Sequence, residues 1–245
     1  MRPFPYFHRL KMREDWDRGV LESFSVTEKP SLILASTSPR RRQLLALAGW
    51  KFSVSAANVD ESQRPNEAPA DYVLRLAEAK AHALVGNADH IVLAADTTVV
   101  DEDVILGKPK DSAEAVTMLA RLRGHKHQVY TGVALLRLND GLLLKDVCVT
   151  DVPMRDYSDE EITAYVQTDD PLDKAGAYAI QHPGFRPVEN MNGCYANVMG
   201  LPMCDLILMM RKINIQPNTE VFAGCETLLE YRRCPVSEAI LSGEM

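Results

Sequence analysis

The sequence has 245 residues, 46% of them hydrophobic and 25% charged, which is an ordinary globular composition with enough apolar material for a sizeable core. Its formal net charge of −7 at pH 7 argues against a protein that binds a nucleic acid polymer through its whole surface. Five widely spaced cysteines without a CxxC pair argue against a disulfide framework or a zinc site and favour a cytoplasmic protein, and no apolar run is long enough to predict a membrane span.

Both ends of the chain are predicted to be extensions. Residues 1–30 have no clear hydrophobic period, and they lack the apolar core and cleavage site of a signal peptide. The regular succession of predicted elements runs from residue 31 to residue 213, so we predict that 31–213 is the folded domain and that 214–245 is a C-terminal extension.

The first predicted elements are a buried strand, a loop and a helix. Residues 32–35 form a short apolar run of the kind found in interior strands. Ser38 followed by Pro39 predicts a helix start, with a capping hydroxyl and then proline at the first helical position. Gly49 is predicted to end this helix.

Three arginines, Arg40, Arg41 and Arg42, fall in the first turn of this helix. Their positive charges oppose the helix dipole and crowd its free amide groups, so we expect the chain to bring an anion to them. Free amides, the Ser36 hydroxyl and forked guanidinium groups together match a phosphate. The alternative is a solvated basic turn, but the pattern favours a phosphate site.

The rest of the chain alternates predicted helices with single strands and one hairpin, which indicates an α/β domain with a mixed sheet. Hydrophobic spacing, capping boxes and a turn at 139–141 give the boundaries. In chain order we predict a strand at 51–55, a polar loop at 56–69, a helix at 72–85 and a strand at 91–95 that ends at Asp96. Two short strands follow within 97–106, and then a helix with a capping box of Asp111 and Glu114. The last predicted elements are a hairpin of 128–138 and 142–151, a helix with a capping box of Ser158 and Glu161, and a helix at 201–213.

Polar side chains interrupt this pattern at positions where sites in α/β folds usually lie. Asp96 follows an apolar run, so we predict that it lies at the mouth of its strand; the alternative is a simple turn carboxylate. Glu61 lies in the polar loop, and Lys108 lies on a stiff loop between Gly107 and Pro109. Together with the arginine turn, these residues combine phosphate-binding cations with metal-binding carboxylates.

Several blocks of sequence stand in a fixed order: Ala-Ser-Thr-Ser-Pro-Arg-Arg at 35–41, Glu61, Ala-Asp-Thr at 95–97, Gly-Lys-Pro-Lys-Asp at 107–111, Val-Tyr-Thr-Gly at 129–132, Asp-Lys-Ala-Gly-Ala-Tyr-Ala-Ile-Gln at 173–181 and Val-Met-Gly-Leu-Pro at 198–202. Together they resemble the Maf family of nucleotide pyrophosphatases over roughly residues 31–213. A match of so many ordered blocks is highly specific.

The resemblance implies a fold of the Maf and inosine triphosphatase type, with a mixed twisted sheet, flanking helices and two lobes around a central cleft. It implies a house-cleaning enzyme that hydrolyses a nucleoside triphosphate substrate to the monophosphate and pyrophosphate. It also implies a divalent metal cation, Mg²⁺ or Mn²⁺, as cofactor, and a homodimer.

Carried over to this sequence, the resemblance places Ser36, Arg40 and Arg41 in the phosphate-binding motif. Arg41, Thr97 and Gln181 match positions that discriminate between bases. Gln181 resembles the branch that acts on dTTP and UTP, and its amide offers both a donor and an acceptor to a pyrimidine edge. Residues 181–187 depart from the glycine-rich form expected of that branch, so a shifted base preference stays open.

The resemblance also places Glu61, Asp96 and Lys108 at catalytic positions, with Asp96 as general base and with Glu61 and Asp96 as metal ligands. An aspartate can act as a base if its own pKa is raised or if a metal lowers the pKa of the attacking water, and the sequence leaves both open. Two other functions also stay open, which are a pyrophosphatase for 7-methyl-GTP or other modified nucleotides and a nucleotide-binding regulator of cell division without turnover.

Overall fold

A mixed sheet of six strands forms the centre of the protein in the computed structural model, which describes residues 31–84, 89–219, 221, 225, 226 and 234–242. The predicted N-terminal extension, residues 1–30, lies outside the described residues. The strands are β1 (Ser31–Ala35), β2 (Phe52–Ser55), β3 (His90–Asp101), β4 (Val104–Leu106), β5 (Lys126–Arg137) and β6 (Leu143–Pro153). Their order is β2-β1-β3-β5-β6, with β4 added to β3. The β1 strand pairs in parallel with β2 and β3, and the other pairs are antiparallel, so the predicted mixed sheet and hairpin are confirmed.

Helices pack on both faces of this sheet. They are α1 (Pro39–Ala46), α2 (Pro69–His82), α3 (Ser112–Leu122), α4 (Asp159–Val166), α5 (Tyr195–Val198), α6 (Met203–Lys212) and α7 (Ser237–Ser242), with 3₁₀ turns at Asp170–Asp173 and Ala175–Ala177. The α2 helix starts earlier than predicted, because Pro69 takes a position in its first turn.

The predicted helix caps are confirmed in two cases and corrected in one. The Ser38 hydroxyl accepts a hydrogen bond from the Arg41 amide, and Ser158 forms a complete capping box with its Glu161. The box predicted for Asp111 and Glu114 is only half formed. The Asp111 carboxylate accepts from the Glu114 amide, but the Glu114 carboxylate reaches past the cap and accepts from the amide of Lys110.

Alternate residues of β3 enter different cores, because successive side chains of a strand point to opposite faces of the sheet. Ile91, Leu93 and Ala95 belong to the larger core, which also contains the buried leucines of α1, α3 and α6. Val92 and Ala94 belong to a smaller core with alanines of α2. Continuing this alternation, the Asp96 side chain points toward α2 and the Thr97 side chain points to the face of the larger core.

The predicted strand end at Asp96 is wrong, because β3 continues to Asp101. Pairing with β5 carries the strand through the polar residues, and Asp96 lies opposite Gly132. On its other side β3 pairs with β1 only as far as Leu93 and with β4 only from Val99, so the described pairing leaves a gap beside Asp96. Asp96 therefore lies beyond the carboxyl end of β1 rather than at the end of its own strand.

The described part of the predicted C-terminal extension packs on the main core. Val221, Val236 and Ile240 are buried members of the larger core. The Trp50 indole donates a 2.8 Å hydrogen bond to the Gln216 carbonyl oxygen. None of the helices described is long and apolar enough to cross a membrane.

We predict that Gly132→Ala destabilises the protein by about 2 kcal/mol, because overpacking forces backbone to move. A Cβ at Gly132 would lie 2.5 Å from the Val73 carbonyl oxygen and would push α2 away from β5. Urea unfolding measures the change. Gly107→Ala is the matched control, since a Cβ there has no heavy atom within 4 Å, and it is expected to change stability by less than about 0.5 kcal/mol. Equal stability of the two variants would contradict the close approach of α2.

Candidate active site

One ammonium group bridges two carboxylates in the gap beside β3. Lys80 Nζ on α2 lies 2.6 Å from Asp96 Oδ1 and 2.6 Å from Glu61 Oε1. Lys80 and Asp96 are buried, whereas the Glu61 side chain is 48% exposed. The alternation of β3 accounts for this contact, because Asp96 points to the same face as Val92 and Ala94 and therefore toward α2.

The sequence did not point to Lys80, because a lysine on a helix is usually solvated. A signal was nevertheless available. Lys80 stands at helical spacing from Val73 and Ala77, which are buried residues of α2, so it lies on the packed face of this helix. A lysine on a buried face needs an anionic partner, and the carboxylate in the facing strand is Asp96.

Burial and charge act in opposite directions on the two carboxyl groups. Burial raises the pKa of Asp96, although the charges of Lys80 and Arg41 and the hydrogen bond from Lys80 oppose it. Burial also raises the pKa of Glu61, but there the Lys80 hydrogen bond and charge, aided by Lys108 and Arg41, prevail and the net pKa is lowered. Asp96 is thus the carboxylate whose environment makes it the stronger base.

The loop that carries Glu61 is tied to α2. The Tyr72 hydroxyl donates a 2.9 Å hydrogen bond to the Glu61 carbonyl oxygen. Arg75 forms a bidentate ion pair with Glu67, at 2.5 and 2.7 Å, and also donates to the Ser62 carbonyl oxygen at 3.0 Å. These contacts hold Glu61 against the helix that carries the bridging lysine.

The three arginines of the first turn have different environments. Arg40 is half-buried, and its Nε is a buried donor without a hydrogen-bond partner in the described structure. Arg42 is exposed. Pro39 has no amide proton and the Arg41 amide donates to Ser38 Oγ, so the helix start offers fewer free amides than the sequence suggested. The unsatisfied buried donor on the Arg40 guanidinium is a fitting partner for a phosphate oxygen.

Arg41 is fixed by three hydrogen bonds. Its Nε donates to the Gly200 carbonyl oxygen at 2.8 Å, its Nη2 donates to Thr97 Oγ at 3.0 Å, and its Nη1 donates to Ser36 Oγ at 3.4 Å. Burial lowers the pKa of Arg41, and the nearby charge of Asp96 opposes this. Gly200 has a φ of +105°, and a Cβ there would lie 3.2 Å from Thr97 Oγ and 3.3 Å from Arg41 Nε, so the close approach requires glycine.

The structure gathers most of the predicted site residues. Lys108 is exposed, and its charge acts on Glu61, while Gln181 is exposed and no hydrogen bond among the described residues joins it to the cluster. The predicted residues that share hydrogen bonds, ion pairs or electrostatic interactions around the gap are Ser36, Arg40, Arg41, Glu61, Asp96, Thr97 and Lys108.

The donor set in the gap fits a hard divalent cation. Lys80 contacts one oxygen of each carboxylate, Asp96 Oδ1 and Glu61 Oε1, which leaves a second oxygen on each. Mg²⁺ is commonly bound by one or two carboxylates together with waters and substrate phosphates. Within the described ranges no group of three or more His, Cys, Asp or Glu side chains is placed to hold a metal ion.

Comparison with known proteins agrees with the motifs. The family described as Maf-like protein matches residues 31–213. The dTTP/UTP pyrophosphatase of Geobacter sulfurreducens is 49% identical over 188 residues, covering 76% of this chain and 98% of the relative. The dTTP/UTP pyrophosphatase of Hahella chejuensis is 44% identical over 189 residues, covering 76% of this chain and 93% of the relative. The resemblance stated from the motifs is therefore confirmed.

Solved structures of lower similarity also align with the chain. A nucleoside-triphosphatase, or dITP/XTP pyrophosphatase, from Mycobacterium abscessus aligns with a TM-score of 0.40 and 13% identity, covering 76% of this chain and 98% of that protein. The Staphylococcus aureus Ham1 protein aligns with a TM-score of 0.38 and 13% identity, covering 88% of this chain and all of that protein.

We predict that Arg40→Met weakens the binding of inorganic tripolyphosphate by about tenfold or more, because a charge-assisted hydrogen bond from a half-buried guanidinium is lost. Isothermal titration calorimetry measures the affinity. Arg42→Met removes the same charge from the exposed position of the same turn and is expected to change the affinity far less. Equal losses in the two variants would show that the turn acts only through its net charge.

Proposed function

The chain belongs to the Maf-like protein family, and we propose that it is a pyrophosphatase that hydrolyses dTTP and UTP to the nucleoside monophosphate and pyrophosphate. The observation that carries this proposal is the cluster of Lys80, Glu61 and Asp96 beside the arginine turn. The names of relatives with up to 49% identity support the substrate class. A pure binding protein would have no need of a buried aspartate with a raised pKa next to its phosphate site.

In this proposal the arginine turn and Lys108 hold the triphosphate. The unpartnered Nε of Arg40 donates a hydrogen bond to a phosphate oxygen. Lys108 is exposed on its loop and close enough to Glu61 to lower the pKa of Glu61, so it can reach the same polyphosphate from the other side. These cations fix the substrate and offset the charge of the departing pyrophosphate.

Asp96 takes the role of general base. A water molecule attacks one of the two phosphorus atoms joined by the α–β bridging oxygen, and one of its protons passes to Asp96. The bond from that phosphorus to the bridging oxygen breaks, which releases the nucleoside monophosphate and pyrophosphate. The raised pKa of Asp96 makes this carboxylate a better proton acceptor than an exposed aspartate. The hydrogen bond from Lys80 fixes the orientation of the Asp96 carboxylate. The charge of Lys80 also offsets part of the free-energy cost of burying the Asp96 charge.

Glu61 and Asp96 are the residues that would hold a divalent cation, Mg²⁺ or Mn²⁺. When bound there, the cation supplies charge neutralisation at the phosphate oxygens and lowers the pKa of a bound water. The two carboxylate oxygens that Lys80 leaves available support this assignment.

Base recognition is assigned to Arg41, Thr97 and Gln181. Arg41 and Thr97 are joined by a hydrogen bond on the face of β3 opposite to Asp96, so they read the base while the chemistry proceeds on the other face. Gln181 would reach the base from an exposed turn. We also propose, from the family resemblance, that the enzyme acts as a homodimer in the cytoplasm and that 31–213 is its catalytic domain.

The test of the function is an assay with a panel of triphosphates and Mg²⁺, followed by chromatographic separation of the products. Monophosphate and pyrophosphate from dTTP and UTP are the expected products. Preferred hydrolysis of 7-methyl-GTP would favour the modified-nucleotide alternative, and binding without any product would leave only the regulator.

The same assay tests the metal. Excess EDTA is expected to abolish turnover, and added Mg²⁺ or Mn²⁺ is expected to restore it. The thermal unfolding midpoint is expected to stay unchanged in EDTA, which separates loss of the cation from loss of the fold. Full activity in EDTA would refute the proposed cation site.

We predict that Asp96→Asn abolishes turnover, with a loss of at least about a hundredfold in kcat, while binding of the triphosphate is largely kept. Asparagine cannot accept the proton but preserves the size of the side chain. Asp101→Asn is the matched control, because Asp101 is a buried aspartate of the same strand that pairs instead with Arg121 and His125. Substantial activity of Asp96→Asn would remove Asp96 as the base.

A further inference from the structure

A closed ring of hydrogen bonds lies behind the Thr97 hydroxyl. Arg41 joins Thr97 to the Gly200 carbonyl oxygen, and the Gly200 amide donates a 2.9 Å hydrogen bond to the Asn197 carbonyl oxygen. Thr131 Oγ lies 3.0 Å from the same Asn197 oxygen and 3.0 Å from Thr97 Oγ, which closes the ring. Thr131 and Asn197 are fully buried, whereas Thr97 is half-buried.

The pairing register creates this ring. Thr97 on β3 and Thr131 on β5 are direct cross-strand partners, so their hydroxyls meet on one face of the sheet. Asn197 lies in α5, and its side-chain amide donates to the Val129 carbonyl oxygen and to Thr150 Oγ, at 3.1 and 2.9 Å. The Asn197 main chain is thereby fixed against β5 and β6.

Only one assignment of donors and acceptors satisfies every hydrogen bond of the ring. A carbonyl oxygen can only accept, so Thr131 must give its single hydroxyl proton to Asn197. Thr131 Oγ can then only accept from Thr97, which uses the single proton of Thr97. One lone pair of Thr97 Oγ accepts from Arg41 Nη2, and one lone pair remains. Thr97 is left with no proton to donate.

We propose that Thr131 is a positioning residue that makes Thr97 a pure hydrogen-bond acceptor toward the nucleobase, and that this orientation selects bases with a ring N–H. The inference rests on the proposed function and on the base-reading role of Arg41 and Thr97. Thr131 is buried behind Thr97 and acts through it rather than by touching the substrate.

The chemistry of the bases matches this polarity. Uracil and thymine present an N–H donor at N3 beside a carbonyl acceptor at C4, whereas cytosine presents an acceptor at N3 beside an amino donor. Arg41 has five N–H donors, of which the three hydrogen bonds to Gly200, Thr97 and Ser36 use three. A remaining donor of Arg41 beside the acceptor of Thr97 complements uracil or thymine and opposes cytosine at both positions.

The test is Thr131→Val, which keeps the shape of the side chain but removes the group that accepts the proton of Thr97. The released hydroxyl can rotate and donate to cytosine N3. We expect the ratio of kcat/KM for UTP over CTP to fall by about tenfold, the discrimination that one hydrogen bond supplies. An unchanged ratio in folded Thr131→Val would overturn the proposal.

Two variants separate orientation from simple loss of stability. Thr131→Ser keeps the hydroxyl and is expected to keep the ratio of kcat/KM for UTP over CTP at the value of the unaltered enzyme. Thr150→Val removes another buried hydroxyl, which accepts a hydrogen bond from the Asn197 side chain and lies 3.4 Å from the Cys194 carbonyl oxygen. This change leaves the hydrogen bond from Thr97 to Thr131 in place. It is expected to lower stability without changing the ratio, and an equal fall of the ratio in Thr150→Val would overturn the proposal.

A substrate analogue tests the same point without any variant. In N3-methyluridine triphosphate a methyl group replaces the N3 proton of uracil while the C4 carbonyl is kept, and we expect the unaltered enzyme to use it at least about tenfold less efficiently than UTP. Equal use of the two would overturn the proposal. If the enzyme hydrolyses no nucleotide, the proposed function itself has failed, which is a different outcome from hydrolysis without this discrimination.

Discussion

The contact on which the site depends is the one between Lys80 and two carboxylates. Asp96 is buried in the middle of a strand, where an isolated negative charge would be strongly unfavourable. Lys80 supplies the compensating charge at 2.6 Å and brings Glu61 to the same place. This requires α2 to lie close to β3 and β5, and the small side chains at that contact, Gly132 above all, permit the approach.

The long strand β3 places neighbouring site residues on opposite faces of the sheet. Its alternation sends Asp96 toward α2 and Thr97 toward α1 and the Gly200 turn, so adjacent residues serve opposite faces. On the side of β1 and β4, the described pairing leaves β3 without a partner strand between Leu93 and Val99. In the function proposed above, the phosphates lie beside Asp96 and the base lies beside Thr97.

The sequence predicted what depends on local chemistry. The strand, the Ser38 cap and the basic turn of α1 follow from neighbouring residues, and the structure confirms the strand, the helix and the cap. The strand end at Asp96 was wrong because pairing with β5 carries a polar residue through the sheet. Lys80 and the ring behind Thr97 depend on contacts between distant segments, which hydrophobic spacing alone does not specify.

The central claim is that Lys80 opposes the effect of burial on Asp96, and the pKa of Asp96 tests it most directly. The ¹³C shift of the Asp96 carboxyl can be followed against pH by NMR in the unaltered protein and in Lys80→Met, with Asp96→Asn identifying the signal. Because Lys80 opposes the effect of burial, its removal should raise the pKa of Asp96 further. An unchanged or lower pKa in Lys80→Met would contradict the account.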